Sequence, residues 1–387
     1  MRPRLVALLL LTAALGSAAP ARAQLAVSAN DNKVLLVDGR VTVVPNPPPD
    51  TVSIIDLRAS PPRVIADVAA PVSVVGPPLS VALTPDESLA LVTASQKIDP
   101  ADPTKQVPNN QVTVIDLKAT PPRVLATLEA GRGAAGVSIN RQGTLALVSN
   151  MVDGTVSVFT IQGRTVTPAG TVEVGGPQAG GGMVAIAPDG RTALVSRSLD
   201  NKVSVLAIDG TRVEYTKRDM IAGVRPVVLD IAPTGGFAVV GTLAGAVSGD
   251  HDTVSLIDLT ARPPRVVDTI GVLGATAEGL KVSPDGSVVA VVVHNGSNRP
   301  KDSPFFNPAG KLVIVRVTGK TLTRVAEAPI GRWPQGAAFT PDGRRILVGN
   351  MVEKEYWVFE WDGARLRDTG QRVKVNGGPA AIRTAER

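Results

Sequence analysis

Along most of this chain apolar and polar residues alternate with a period of two, the spacing of a strand with one buried face and one polar face. The alternation is clearest in Val52-Ser53-Ile54-Ile55-Asp56-Leu57, Val112-Thr113-Val114-Ile115-Asp116-Leu117, Val203-Ser204-Val205-Leu206 and Val254-Ser255-Leu256-Ile257-Asp258-Leu259. No stretch of helical spacing and useful length interrupts it. One four-residue turn returns between these strands. It reads Ser283-Pro284-Asp285-Gly286, with variants Thr84-Pro85-Asp86-Glu87, Asn140-Arg141-Gln142-Gly143, Ala187-Pro188-Asp189-Gly190, Ala232-Pro233-Thr234-Gly235 and Thr340-Pro341-Asp342-Gly343. Pro presets φ at the second position and Gly supplies a left-handed residue at the last, so each copy predicts a hairpin tip.

The six turns recur every 45–57 residues, which divides the chain after residue 23 into about seven units. Within a unit an inner strand precedes the turn, as in Gly279-Leu280-Lys281-Val282, and a second strand follows it, as in Ala146-Leu147-Val148-Ser149-Asn150. The alternating third strand and an outer fourth, such as Arg265-Val266-Val267-Asp268-Thr269-Ile270, complete it. Four antiparallel strands in each of seven units predict an all-β fold, the seven-bladed β-propeller. Six turns suffice for seven blades because the ends share the last one. Leu25-Ala26-Val27-Ser28-Ala29-Asn30 matches a second strand and Gly377-Gly378-Pro379-Ala380-Ala381-Ile382 an inner strand. The C-terminal strand is therefore expected to pair with the N-terminal blade and close the ring, leaving no open edge.

Leu147-Val148-Ser149-Asn150 with Val156-Ser157-Val158, and Gly331-Arg332-Trp333-Pro334-Gln335-Gly336 leading into Thr340-Pro341-Asp342-Gly343, resemble the YVTN-repeat, or YncE-like, family of seven-bladed propellers. The resemblance implies one propeller over nearly all of the mature chain. It also implies that connections from second to third strand, and from blade to blade, gather on one face around the channel mouth. It does not fix an activity, because propellers host unrelated functions.

Composition changes this picture first at the N-terminus. Arg2 and Arg4, an apolar run over 5–15 and Ala21-Arg22-Ala23 read as a secretory signal peptide spanning 1–23. Cleavage after Ala23 leaves a single domain at 24–387 in the periplasm or secreted. The apolar run is too short for a bilayer and no second long one follows, so no membrane span is expected in the mature chain. The absence of cysteine removes disulfides and thiol chemistry. Arg2, Arg4 and Arg22 leave with the leader, which lowers the formal charge from +6 to +3. With no basic run, three Trp and two Tyr, nucleic acid is not expected as a partner.

Long connections at 31–50, 95–110, 242–252 and 294–310 mark the working face. The first is expected to hold its own hairpin, with Lys33-Val34-Leu35-Leu36-Val37 and Val41-Thr42-Val43-Val44 around Asp38-Gly39. The last carries Phe305-Phe306, either a lid or partner anchor or a pair of rings packed on their own blade. On the other face Ala59-Ser60-Pro61-Pro62-Arg63-Val64 recurs as Ala119-Thr120-Pro121-Pro122-Arg123-Val124 and Ala261-Arg262-Pro263-Pro264-Arg265-Val266. These read as rigid turns guarding an outer strand, or as an Arg display for an acidic partner.

Two histidines, His251 and His294, and no cysteine cannot build a multi-histidine or thiolate metal site, and Asp250 and Asp252 lack the spacing of a calcium loop. No metal and no cofactor is expected. Aligning the turns places Glu278 and Gln335 at the same point of successive inner strands, with Arg225 and Arg332 slightly upstream in their own blades. Arg197 and His294 end second strands. All six are expected at the channel mouth as ligand-binding residues. A cluster of Arg, Glu and His there resembles the site of seven-bladed lactonases. That resemblance implies that Arg197 and Arg225 hold a carboxylate or developing oxyanion while Glu278 or His294 activates water. The same residue types also suit an ion pair, Glu278 with Arg225, between adjacent blades. The main expectation is an exported monomer that binds a small anionic molecule or a protein partner on its loop-rich face. The alternative is a lactonase-like hydrolase of a sugar lactone or related cyclic ester.

Overall fold

The computed structural model describes residues 25–386, apart from 77, 273 and the side chain of 247; the leader expected at 1–23 lies outside the described residues. Seven four-stranded antiparallel sheets account for all strands but two. Blade one combines the inner strand Gly378–Thr384 with Leu25–Asp31, Thr51–Asp56 and Arg63–Ala69. Blades two to seven follow in chain order, with inner strands Val81–Leu83, Ala134–Ile139, Gly181–Ile186, Pro226–Ile231, Ala277–Val282 and Pro334–Phe339. Each inner strand lies beside that of the next blade, and the last returns to the first, so the sheets form a seven-bladed propeller. The C-terminal strand closes it: Ala381 pairs with Ala29 and Thr384 with Ala26.

Blades stack face to face, so second strands are buried on both sides; Leu145–Asn150 and Val288–Val293 are buried throughout. Hydroxyls tie neighbouring blades together. Thr93 Oγ1, Ser149 Oγ and Ser196 Oγ donate to the carbonyls of Ala135, Gly182 and Val227, each the second residue of the next inner strand. A β-bulge sits at that second position in blades three to seven, where an extra residue bends the strand and re-aims its side chain.

The recurrent turns adopt the expected geometry. Gly286 has φ 74° and Gly343 φ 71°, and Ser283 and Thr340 donate to the carboxylates of Asp285 and Asp342. The inserted hairpin forms as Val34–Val37 and Arg40–Val43, with Asp38 and Gly39 at φ 47° and 71°. The 95–110 segment differs from the loop expected of it. Strands Leu89–Ile98 and Gln106–Asp116 run on through most of it as a paired arm, because Gln96, Lys97 and Ile98 find partners in Pro108, Val107 and Gln106. One helical turn, Gly245–Ser248, lies between second and third strands of blade five. No helix among the described residues is long and apolar enough to cross a membrane.

Candidate active site at the loop-rich end of the propeller axis

The residue immediately ahead of the inner strand is left-handed in six blades. It is Gly133, Gly180 and Gly377 in blades three, four and one, but Arg225, Thr276 and Trp333 in blades five, six and seven, with φ 53°, 68° and 49°. A side chain at positive φ is strained, most of all a β-branched one such as Thr276, and such strain concentrates where a side chain is needed. In blades three to seven its carbonyl receives the amide of the residue that follows the second strand. Thr276 O thus accepts from His294 N at 2.9 Å, and Arg225 O from Leu243 N at 3.0 Å. This bond fixes His294 above the start of the inner strand of its own blade.

Glu278 and Gln335 occupy the bulged second positions of blades six and seven, where blades three to five have Ala135, Gly182 and Val227. Three of the expected residues meet here: Glu278 Oε2 lies 3.9 Å from His294 Nε2, and Gln335 Nε2 lies 3.4 Å from the same nitrogen. All three are buried. Burial pushes the Glu278 carboxyl up to about 8; the nearby Arg225 charge pulls it down and the Asp252 charge pushes it up. Burial likewise lowers the His294 imidazole to about 3. At neutral pH this pair is therefore a carboxylic acid beside a neutral ring and not an ion pair. The His294 ring also donates to the Pro334 carbonyl, which partly opposes the effect of burial, and its Nε2 lies within hydrogen-bond reach of the Gln335 amide.

Three polar atoms around this cluster are buried without a partner: Arg225 Nε, His294 Nδ1 and Gln335 Oε1. Buried polar groups are nearly always satisfied, so three unpartnered atoms close together mark a place for a water or another small polar molecule. Asp252 supports it from behind. Its carboxylate accepts from Thr276 N at 2.6 Å, Thr242 Oγ1 at 2.8 Å and Gly245 N at 3.0 Å, which holds Thr276 in its strained conformation.

The other expected residues are used differently. Arg197 lies on the same face but turns into its own blade, where it bonds Asp200, Ser204 Oγ at 3.2 Å and Tyr215 Oη at 3.1 Å. Arg332 is exposed and pairs with Glu353 at 3.2 Å. Arg225 acts on Glu278 through space, without an ion-pair contact. Sequence reasoning did not single out Thr276 or Trp333, because their left-handed backbone leaves no mark in a non-glycine sequence. Asp252 was weighed only as a metal ligand. Its signal was a lone acid just ahead of a third strand.

A cap covers this end. The inserted hairpin reaches from blade one to blade six, where a Cβ on Gly39 would lie 2.0 Å from the backbone of Arg299 and Pro300. Val34 packs with Trp333, Met351 and Ala380. Arg299 in turn donates to Gly245 O at 2.8 Å, and its guanidinium stands 5.3 Å from the Phe305 ring. Phe305 also rests against Gly249 of blade five, so its packing extends beyond its own blade.

No protein-family model matches the chain, and no curated protein matches it either. Solved structures do. A protein from Bacteroides uniformis provisionally described as a 6-phosphogluconolactonase has a TM-score of 0.70 at 17% identity, covering 94% of this chain and 100% of its own. The periplasmic gluconolactonase of Pseudomonas aeruginosa has a TM-score of 0.66 at 20% identity, covering 94% and 99%. The hydrazine synthase of Kuenenia stuttgartiensis has a TM-score of 0.61 at 20% identity, covering 81% and 90%. At these identities the chain shares a fold with lactonase propellers and with a protein of different chemistry.

Proposed function

We propose that this protein is a lactonase-like hydrolase that opens a sugar lactone or related cyclic ester at the Glu278 cluster, in the periplasm or outside the cell. The observation that carries the reading is a buried carboxyl near pKa 8, 3.9 Å from the His294 ring and within the field of Arg225, whose Nε donor is idle. A general base works best with a pKa near the working pH, which selects Glu278 over His294, whose ring near 3 is too weak a base. Ionised Glu278 takes a proton from water, which attacks the lactone carbonyl. The oxyanion that forms is held by Arg225 Nε–H. Collapse breaks the ring C–O bond, and Glu278 returns its proton to the departing alkoxide, giving the open hydroxy acid. Arg197 and Arg332 are already paired with carboxylates, which leaves little for a phosphate to bind and favours an unphosphorylated substrate. The Ala21-Arg22-Ala23 leader and the periplasmic gluconolactonase among the structural neighbours support the location.

A second reading, capture of a small anionic ligand without turnover, draws on the same carboxyl: protonated at neutral pH, Glu278 can donate to a ligand carboxylate. The two readings have opposite pH signs. Hydrolysis measured as kcat/KM rises with pH to a plateau above about 8. Capture of a sugar acid weakens over the same interval. Glu278→Gln is expected to lower kcat by about 10²–10⁴. If no lactone of a panel is hydrolysed while sugar acids raise the melting temperature, the hydrolase reading fails and the capture reading takes its place.

A further inference from the structure

The opposite end of the propeller axis carries a second site that the reading above does not use. The fifth residues of the inner strands face it in register. They are small in three blades, Ser138, Ala185 and Ala338, and charged in two, Asp230 and Lys281. Blade one adds Arg383 at the corresponding place. Glu278 and Lys281 are three positions apart on one strand, about 10 Å at the rise of a β-strand, so the two ends are separate sites.

Three features define the second end. A cavity of about 200 Å³ opens there, walled by Ile139, Ile186, Ile231 and Phe339 and rimmed by prolines of the recurrent turns, such as Pro233 and Pro284. Cations stand at one side of it. Lys281 Nζ lies 3.1 Å from Asp230 and Arg383 NH1 3.3 Å from it, while Arg141 reaches the rim and donates to Pro233 O at 2.5 Å. The third feature is a carboxylate already in place. Glu386, near the C-terminal end of the described chain, accepts from Lys281 Nζ at 3.1 Å and Arg383 NH1 at 3.2 Å, although its side chain is 40% exposed. Burial works to raise that carboxyl, and the Lys281 and Arg383 charges outweigh it and hold it low.

We propose that this cavity is a binding site for a small monocarboxylate with an apolar body, and that the Glu386 carboxylate occupies the place of the ligand's own head group. The apolar walls take a branched aliphatic chain or a single aromatic ring. The cavity is smaller than the ~300–1,000 Å³ of sites for drug-sized ligands, which sets the size class. A carboxylate that displaces Glu386 keeps the charge balance, since Asp230 remains beside Lys281 and Arg383. A phosphate dianion would add a second negative charge next to buried Asp230, which excludes phosphorylated ligands. Lys281 and Glu386, the latter bonded to Arg383, line the polar end and the isoleucines the remainder, so the head group enters first.

The test is calorimetric titration of the full chain with benzoate and isovalerate, with benzyl alcohol and phenyl phosphate as controls. Wild type binds the two carboxylates and neither control. A tethered carboxylate competes at millimolar effective concentration, so Glu386→Ala tightens benzoate by about ten-fold or more. Lys281→Gln loses the binding, and a melting curve shows whether that variant is folded. The proposal is overturned if Glu386→Ala fails to tighten benzoate, if benzyl alcohol binds as well as benzoate, or if neither wild type nor Glu386→Ala binds a carboxylate. Because Glu386 is partly exposed and outside every blade's paired strands, its variant keeps the fold whatever happens to Lys281→Gln.

Discussion

The two ends of the propeller axis hold the same kinds of side chain in opposite states. At the loop-rich end Glu278 and His294 are buried and uncharged, with Arg225 Nε, His294 Nδ1 and Gln335 Oε1 unpartnered beside them. At the turn-rich end Asp230, Lys281, Arg383 and Glu386 bond one another as ion pairs. The difference lies in supply. Asp230 has two cations within about 4 Å. Glu278 has none that close, so it takes up a proton instead. One end thus pairs its ionisable groups with one another, and the other keeps a proton that can move.

The largest effect that would break this contrast is on stability. Asp230→Ala leaves Lys281 and Arg383 facing only Glu386, and removing one partner of a buried ionic group costs about 3–5 kcal/mol. The urea midpoint is expected to fall accordingly, and the double variant Asp230→Ala, Lys281→Ala to recover part of the loss, because Arg383 and Glu386 remain matched. Glu278→Gln exchanges one neutral group for another in the folded chain and removes the ionisation that favours the unfolded chain, so at pH 7 it is expected to stabilise, by up to about 3 kcal/mol. If Asp230→Ala is no worse than Glu278→Gln, the ion network is not structural and the contrast fails.

The second effect is on the pH dependence of stability. The Glu278 carboxyl lies near 8 in the folded chain and near 4.5 in the unfolded one, so between these values the folded chain keeps a proton that the unfolded chain has released. Stability contributed by that proton is complete below 4.5, falls by about 1.4 kcal/mol per pH unit, and is gone above 8. His294 runs the other way, gaining stability as pH rises from about 3 to 6.5. The two offset each other between 4.5 and 6.5, and wild type is expected to lose stability mainly from 6.5 to 8. Glu278→Gln removes the downward limb alone. Chemical denaturation of both proteins at pH 5, 6.5 and 8 checks this, and parallel curves would refute it. Glu386 is held low by Lys281 and Arg383 and adds no slope in this window.

The fold was legible because its determinants are local and repeated. Pro at the second turn position, Gly at the last and period-two alternation specify hairpins, and only a closed ring uses seven of them with two matching ends. Asp38-Gly39 announced the inserted hairpin by the same chemistry. Glu278 and Gln335 could be found because each breaks an apolar inner strand at the same register, and His294 because it ends a second strand over that point. Arg197 shows where this reasoning stops. Its position in the blade is the expected one, but its direction is decided by Asp200, Ser204, Tyr215 and Asp219, on other strands of its blade or the turn beside it. Alternation reports which face a residue occupies and says nothing of which partner claims a long side chain. Asp230 and Lys281 were within reach of the same alignment, since they share the fifth position of neighbouring inner strands. Their meeting with Arg383 and Glu386 required the closure register.

The smallest effect sharpens the boundary of the loop-rich site. Arg332 was expected at the mouth with Arg225, and the two stand one turn apart in role: Arg225 has a buried idle donor, whereas the exposed Arg332 bonds Glu353 twice, through Nε at 3.2 Å and through its amide at 2.9 Å. An exposed pair of this kind is worth roughly 0–1 kcal/mol, and the amide bond survives truncation of the side chain. Arg332→Ala is therefore expected to leave the melting temperature nearly unchanged and to leave both kcat and KM for a lactone as they are. Arg225→Ala removes a donor aimed at the oxyanion and is expected to lower kcat, since that contact strengthens only as charge develops. A rise in KM for Arg332→Ala at constant kcat would mean that the substrate reaches past Gln335 to the rim, and the site would then have to be drawn wider than the cluster of Glu278, His294, Gln335 and Arg225.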